Sequence, residues 1–202
     1  MKKILLIATG GTIASKYTQE GLSPQISAEE LLKYIPAARE FCTIDTVQPF
    51  SLDSTNVRTA HWLQLAQLIE KKYEFYDGFV ICHGTDTMAY TAAALSYLIQ
   101  NNRRPIVITG AQKPIDLAIT DARSNLLDSL RFCLPRQSSR CFHCIWRQSN
   151  RRYQSQKRNS PKATMLSPAL IILILPQFTI TGSYFILMTR ITTRIHWYSI
   201  IR

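Results

Sequence analysis

The chain has 202 residues, 46% of them hydrophobic, a composition ordinary for a globular protein and sufficient for a sizeable core. A formal net charge of +11 would point to nucleic acid or a membrane surface if it covered a folded face, but it does not. Residues 1–133 hold 13 Lys+Arg and 13 Asp+Glu, whereas residues 134–202 hold 11 basic residues and no acidic one.

A soluble domain intersperses both signs over its surface, so a tail without a single carboxylate marks a change of character near residue 133. The five cysteines, Cys42, Cys82, Cys133, Cys141 and Cys144, are odd in number and widely spaced. No small-residue cleavage site follows the short apolar run at residues 4–8. Reduced thiols and a cytoplasmic location are expected.

Residues 4–8 (Ile-Leu-Leu-Ile-Ala) form a continuous apolar run stopped by Thr9-Gly10-Gly11, the pattern of a parallel strand buried on both faces. From Ser27 a capping box with Glu30 opens a short helix that ends near Pro36. Residues 59–72 place Trp62, Leu65, Ala66 and Ile69 on one helical face. Residues 78–82 are a second buried strand, 89–100 a helix, and 105–109 a third strand stopped by Gly110. Strands and helices alternating at this spacing predict an α/β fold with a doubly wound parallel sheet over residues 1–133. Ligands of such sheets sit beyond the carboxyl ends of the strands, which here read Thr-Gly-Gly-Thr, His-Gly-Thr-Asp and Thr-Gly-Ala-Gln.

Each strand end admits a chemical and a structural reading. Thr12 follows two glycines whose bare amides could face a developing oxyanion, so its hydroxyl could attack a carbonyl; equally, the glycines could turn the chain and Thr12 cap the next segment. The run His83 to Thr87 sets the Thr85 hydroxyl beside the Asp86 carboxylate, suited to relaying a proton or holding an ammonium group, or else to capping the next helix. Asp53-Ser54-Thr55 adds a polar cluster on a loop, which could be a site or a turn.

Together these motifs are far more specific. Thr9-Gly-Gly-Thr-Ile-Ala-Ser15, Asp53-Ser-Thr-Asn56, Tyr76-Asp-Gly-Phe-Val-Ile-Cys-His-Gly-Thr-Asp-Thr-Met-Ala-Tyr90 and Pro105-Ile-Val-Ile-Thr-Gly110 follow the order and spacing of the bacterial L-asparaginase and glutaminase family. The resemblance is to its cytoplasmic type I branch and runs from Met1 to about Cys133. It implies hydrolysis of L-asparagine to L-aspartate and ammonia, with L-glutamine as a second substrate. Thr12 would be the nucleophile that forms an acyl-enzyme, and Thr85 and Asp86 the second catalytic threonine and its acidic partner. Asp53, Ser54 and Thr55 would hold the substrate's α-amino and α-carboxylate groups. Tyr17 stands in the segment where the family keeps a mobile lid, a candidate for activating Thr12, although some relatives place that tyrosine nearer Leu22. The resemblance implies no metal and no organic cofactor, and a homo-oligomer in which a neighbouring subunit's second domain completes each site.

Beyond Cys133 the resemblance stops. The family's next strand, the lysine of its Thr-Asp-Lys group and its small second domain are not recognisable. Lys157 and Lys162 lie among Arg, Gln, Asn and Ser, and neither receives a role. Residues 134–202 are expected to be a disordered or poorly packed tail, with little or no amidase activity as the consequence. Residues 160–176 can be back-translated so that another frame reads Pro-Glu-Ser-Tyr-Asn-Ala-Phe, which resembles type I asparaginases, and a frameshift would account for the tail. On that reading Cys141 and Cys144 are not half of a zinc site, and Arg147, Arg151, Arg152 and Arg158 are not a specific nucleic-acid patch. The apolar run at 169–188 is interrupted by Pro176, Gln177 and Gly182, so no membrane span is expected. The competing reading is a non-catalytic fragment that associates with membranes or polyanions through residues 134–202.

Overall fold

A computed structural model of the chain describes residues 1–19, 21–100 and 102–134, together with the backbone of residues 171–174, 179–180 and 186–187. In chain order the elements are β1 (Lys2–Ala8), β2 (Ser15–Thr18), β3 (Gly21–Pro24), α1 (Ala28–Lys33), β4 (Cys42–Val47), α2 (Thr59–Lys72), β5 (Gly78–Cys82), α3 (Met88–Leu98), β6 (Ile106–Thr109), α4 (Ala122–Phe132) and β7 (Ile171–Ile174). Thr179–Ile180 and Ile186–Leu187 pair with each other as two further short antiparallel strands.

The main sheet has the order β4-β1-β5-β6-β7. Its first four strands are parallel, and β7 closes the β6 edge antiparallel, with Ile108 opposite Ile172. Strand pleating sends alternate residues to opposite faces. Ile4, Leu6, Ala8, Val80, Cys82 and Val107 pack on one side with Leu31 of α1 and Leu126 and Leu130 of α4. Leu5, Ile7, Phe79, Ile81, Ile106 and Ile108 pack on the other with Leu65 and Ile69 of α2 and Leu95 of α3. This is the doubly wound α/β sheet that the apolar runs imply, because only strands covered on both faces dispense with polar positions.

The local signals hold in detail. Ser27 Oγ accepts from Glu30 N at 3.2 Å while the Glu30 carboxylate accepts from Ser27 N at 3.0 Å, so the capping box is formed. Helix α1 ends at Lys33, and Pro36 begins a 3-10 turn, Pro36–Glu40. Edge strand β4, the β2–β3 hairpin, helix α4, strand β7 and the short pair Thr179–Ile180 and Ile186–Leu187 lack a counterpart in the elements read from the sequence. The expectations placed on Cys141, Cys144, Lys157, Lys162 and the arginines from 147 to 158 lie outside the described residues, as does most of the apolar run at 169–188.

Candidate active site

The carboxyl ends of β1 and β5 are adjacent in the sheet, and glycines bring the loops that leave them into direct contact. Thr9 N–H and its hydroxyl both donate to Cys82 O, at 3.1 and 2.8 Å. The chain then turns through Gly10 (φ 101°) and Gly11 (φ 74°), left-handed conformations that a Cβ disfavours. A Cβ on Gly10 would run into the Leu52 carbonyl, and one on Gly11 into the Gly84 backbone nitrogen and Cα. A Cβ on Gly84 would stand 2.6 Å from both Cβ and Oγ of Ser54, and one on Gly110 3.4 Å from Thr85 Cγ2. The loops that carry Thr12, Ser54 and Thr85 thereby meet in one patch above the strand ends, where the topology of such sheets places ligands.

The loop before Asp53 is tied to this patch through Leu52. Leu52 N donates to Thr9 O and Gly11 N to Leu52 O, both at 2.9 Å. The second bond corrects one expectation: the Gly11 amide is engaged and is not free to meet an oxyanion.

Thr12 opens a 3-10 turn, Thr12–Ala14, and its side chain is half-buried. Among the described residues its hydroxyl makes no hydrogen bond, nor does any side-chain atom of Thr85 or Asp86. Thr85 is half-buried and Asp86 exposed, so these groups face solvent at the patch. Asp53 caps the 3-10 turn Ser54–Asn56, its carboxylate accepting from Thr55 N at 2.8 Å and from Thr55 Oγ1 at 2.7 Å. Those two bonds hold the Asp53 carboxyl below the usual aspartate range, so it is an anion at neutral pH. The cap and the anion are one arrangement, and the structural and chemical readings of this cluster do not exclude each other.

Helix α3 begins at Met88 with Thr87 in the N-cap position, yet no side chain caps it. The Thr87 hydroxyl instead donates to Ser54 O at 2.7 Å, joining the two loops. His83, fully buried, has both ring nitrogens engaged: Nδ1 with Gly84 O at 2.7 Å and Nε2 with Thr91 Oγ1 at 2.9 Å. The Gly84 carbonyl can only accept, so the neutral imidazole carries its hydrogen on Nδ1 and Nε2 accepts from the Thr91 hydroxyl, whose oxygen in turn accepts from Trp62 Nε1 at 2.9 Å. Burial lowers the His83 pKa, against a smaller opposing effect of the Gly84 carbonyl, which keeps the ring neutral. A histidine at the end of an otherwise apolar strand was the signal for this internal support, and it passes easily for part of the neighbouring motif.

Tyr17 lies on β2 of a hairpin in which it pairs with Leu22, so the two positions named for a lid tyrosine face each other across one pair of strands. Its side chain is 66% exposed and makes no hydrogen bond to Thr12. Ser15 Oγ donates to Gly11 O at 2.9 Å, anchoring the start of the hairpin beside Thr12.

At the third strand end the Asp121 carboxylate accepts from Gln112 N at 3.0 Å and Lys113 N at 3.2 Å, and Asn125 Nδ2 donates to Gly110 O at 2.9 Å. Cys82 ends β5 near the patch, but burial pushes its thiol up to about 12, so it carries no thiolate to compete as a nucleophile. No helix among the described residues is long and apolar enough to cross a membrane.

The family model described as asparaginase, N-terminal, matches residues 3–162. An L-asparaginase of Thermococcus kodakarensis is 40% identical over 131 residues, which are 64% of this chain and 40% of that protein. A glutamyl-tRNA(Gln) amidotransferase subunit of Pyrococcus abyssi is 39% identical over 134 residues, 65% of this chain and 31% of that one. The solved structure of the thermostable T. kodakarensis L-asparaginase superposes with a TM-score of 0.60 over 65% of this chain and 40% of its own. L-asparaginase I of Vibrio cholerae, 37% identical, gives 0.60 over 65% of this chain and 40% of its own. A probable cytoplasmic L-asparaginase of Campylobacter jejuni, 33% identical, gives 0.61 over 69% and 42%. The chain therefore spans well under half the length of these relatives.

Proposed function

The chain belongs to the asparaginase family, and from that premise we propose that its strand-end patch is a threonine-dependent amidohydrolase site for L-asparagine, with L-glutamine as the alternative substrate. Thr12 Oγ attacks the side-chain amide carbon, its proton leaves, and ammonia is expelled as an acyl-threonine ester forms; water then cleaves the ester to L-aspartate. Thr85 and Asp86 receive and return the Thr12 proton. The Asp53 anion takes the α-ammonium, and the hydroxyls of Ser54 and Thr55 take the α-carboxylate. Tyr17 approaches Thr12 when the hairpin closes over substrate. Substrate and product are small solutes of the cytoplasm, and no metal or organic cofactor enters a step.

The observation that supports this reading is the contact of Gly11 with Gly84 and of Gly84 with Ser54, which brings the loop bearing Thr12, the turn bearing Asp53 and the loop bearing Thr85 and Asp86 against one another. The relatives divide between an asparaginase and an amidotransferase subunit, so the amide is their common ground and the amino acid that carries it is what an assay has to decide. Turnover is expected to be weak, because neither Lys157 nor Lys162 stands in the context of the family's third catalytic residue. Assembly into the family's homo-oligomer is a separate proposal, read directly from the mass in solution.

A test that does not require turnover is covalent capture. The purified chain is incubated with an asparagine analogue whose carboxamide is replaced by a diazoketone, and the modified peptide is mapped by mass spectrometry. The expected result is one adduct on Thr12, slowed by L-asparagine and absent in Thr12→Val. Modification elsewhere, or an unchanged yield in Thr12→Val, overturns the assignment.

A further inference from the structure

We propose that Thr87 is a positioning residue of this site, whose hydroxyl fixes where the Asp53–Thr55 turn stands relative to Thr85 and Asp86. The inference rests on the proposed function for what the two loops do, and on geometry for the link between them.

The turn that carries Asp53 and Thr55 is largely exposed, and its own bonds are local. Asp53 bonds to Thr55, Asn56 N donates to Asp53 O, Val57 N to Ser54 O, and Arg58 Nη1 to Thr55 O. Local bonds shape a turn but do not fix its place. Beyond Leu52 and the buried Val57 side chain, the turn is held to distant residues by the buried Ser54 side chain against Gly84 and by the 2.7 Å bond from Thr87 Oγ1 to Ser54 O. Only the second is directional. Thr87 occupies the N-cap of α3, where a threonine hydroxyl ordinarily accepts from a backbone amide of the first helical turn, yet here it donates to a carbonyl 33 residues earlier.

The other end of the link is rigid. His83 bonds at both ring nitrogens, and Trp62 supports Thr91 behind it, so the segment leading to Thr87 is braced from inside the domain. Thr87 passes that bracing to the turn that would hold the amino-acid end of the substrate. Thr12 is held by contacts that do not use the Thr87 hydroxyl: Gly11 N on Leu52 O, and Gly11 against Gly84. Loss of the Thr87 hydroxyl should therefore loosen substrate capture and leave the chemistry at Thr12 nearly intact.

Thr87→Val keeps shape and removes the donor, while Thr87→Ser keeps the donor. Two measurements are read on each: amide hydrogen exchange at residues 54–57, and saturation kinetics of Thr12 modification by the diazoketone analogue. With one hydrogen bond at stake, Thr87→Val is expected to raise exchange at Asn56 and Val57 and the half-saturating analogue concentration by up to about tenfold each. Amides of β5 keep their wild-type exchange, the limiting modification rate changes by less than about threefold, and Thr87→Ser behaves as wild type on every count. Wild-type exchange at 54–57 in Thr87→Val, an equal rise across β5, or failure of serine to restore the link overturns the proposal. If Thr12 in the unaltered chain is not modified at all, the proposed function falls, and the exchange comparison by itself decides whether Thr87 holds the turn.

Discussion

Gly11→Ala is the sharpest perturbation of the strand-end contact. Gly11 has φ 74° and ψ 178°, a region essentially reserved for glycine, so alanine there costs about 1–3 kcal/mol in backbone strain. The new Cβ would also overlap the Gly84 nitrogen and Cα, atoms of a backbone that no rotamer change can move aside. Overpacking of this kind adds about 1–3 kcal/mol, for a total of about 4 kcal/mol. Gly21 provides the control: its φ of 115° imposes strain on alanine, but a Cβ there meets nothing within 4 Å. With an m-value of about 2 kcal/mol/M, Gly11→Ala should lower the urea midpoint by about 2 M, and Gly21→Ala by about 1 M or less. Equal losses in the two variants, followed by circular dichroism, would mean that the β1 and β5 loops do not touch, and the patch would lose its foundation.

Other consequences are as direct. Because burial lowers the His83 pKa while the unfolded chain titrates near the ordinary histidine value, the unfolded state binds the extra proton: the His83 contribution is present above pH about 6.5 and is lost as pH falls through the depressed folded value. Urea melts from pH 7.5 to 5.5 should show this loss at up to about 1.4 kcal/mol per pH unit, and His83→Gln should remove that component of the slope. Asp121→Ala strips the acceptor from the Gln112 and Lys113 amides and should cost about 2–3 kcal/mol, read as the same midpoint shift. Cys42, Cys82 and Cys133 are buried with thiols pushed upward, Cys42 to about 11, so iodoacetamide at pH 8 should alkylate them only under denaturing conditions, as peptide mapping would show.

What was legible in the sequence was whatever the core dictates. Strands β1, β5 and β6 are apolar at every central position because α1 and α4 cover one face and α2 and α3 the other, so each could be read without any partner. Strand β4 escaped because it is an edge: Cys-Thr-Ile-Asp-Thr-Val carries polar residues, Lys3 pairs with Asp45 at 2.8 Å near the surface, and the run has no apolar signature. The β2–β3 hairpin escaped for a related reason. Among the described residues Ser-Lys-Tyr-Thr and Gly-Leu-Ser-Pro pair only with each other, and Tyr17 and Leu22 are exposed, so neither strand shows the alternation that marks a buried face.

The site divides in the same way. Glycines at three strand ends announce close backbone approach, and the contacts at Gly11, Gly84 and Gly110 supply it. The side chains that hold the loops in place were illegible because their partners are far away in sequence: Thr87 meets Ser54, and Trp62 reaches His83 only through Thr91. A threonine just before a helix and a histidine just after a strand each have a sufficient local explanation, the cap and the motif, and local explanations hide long-range ones. The helix that Thr87 should cap forms without its cap, so its hydroxyl is free for the bond that joins the two loops, and that diversion could be recognised only once both loops were in place.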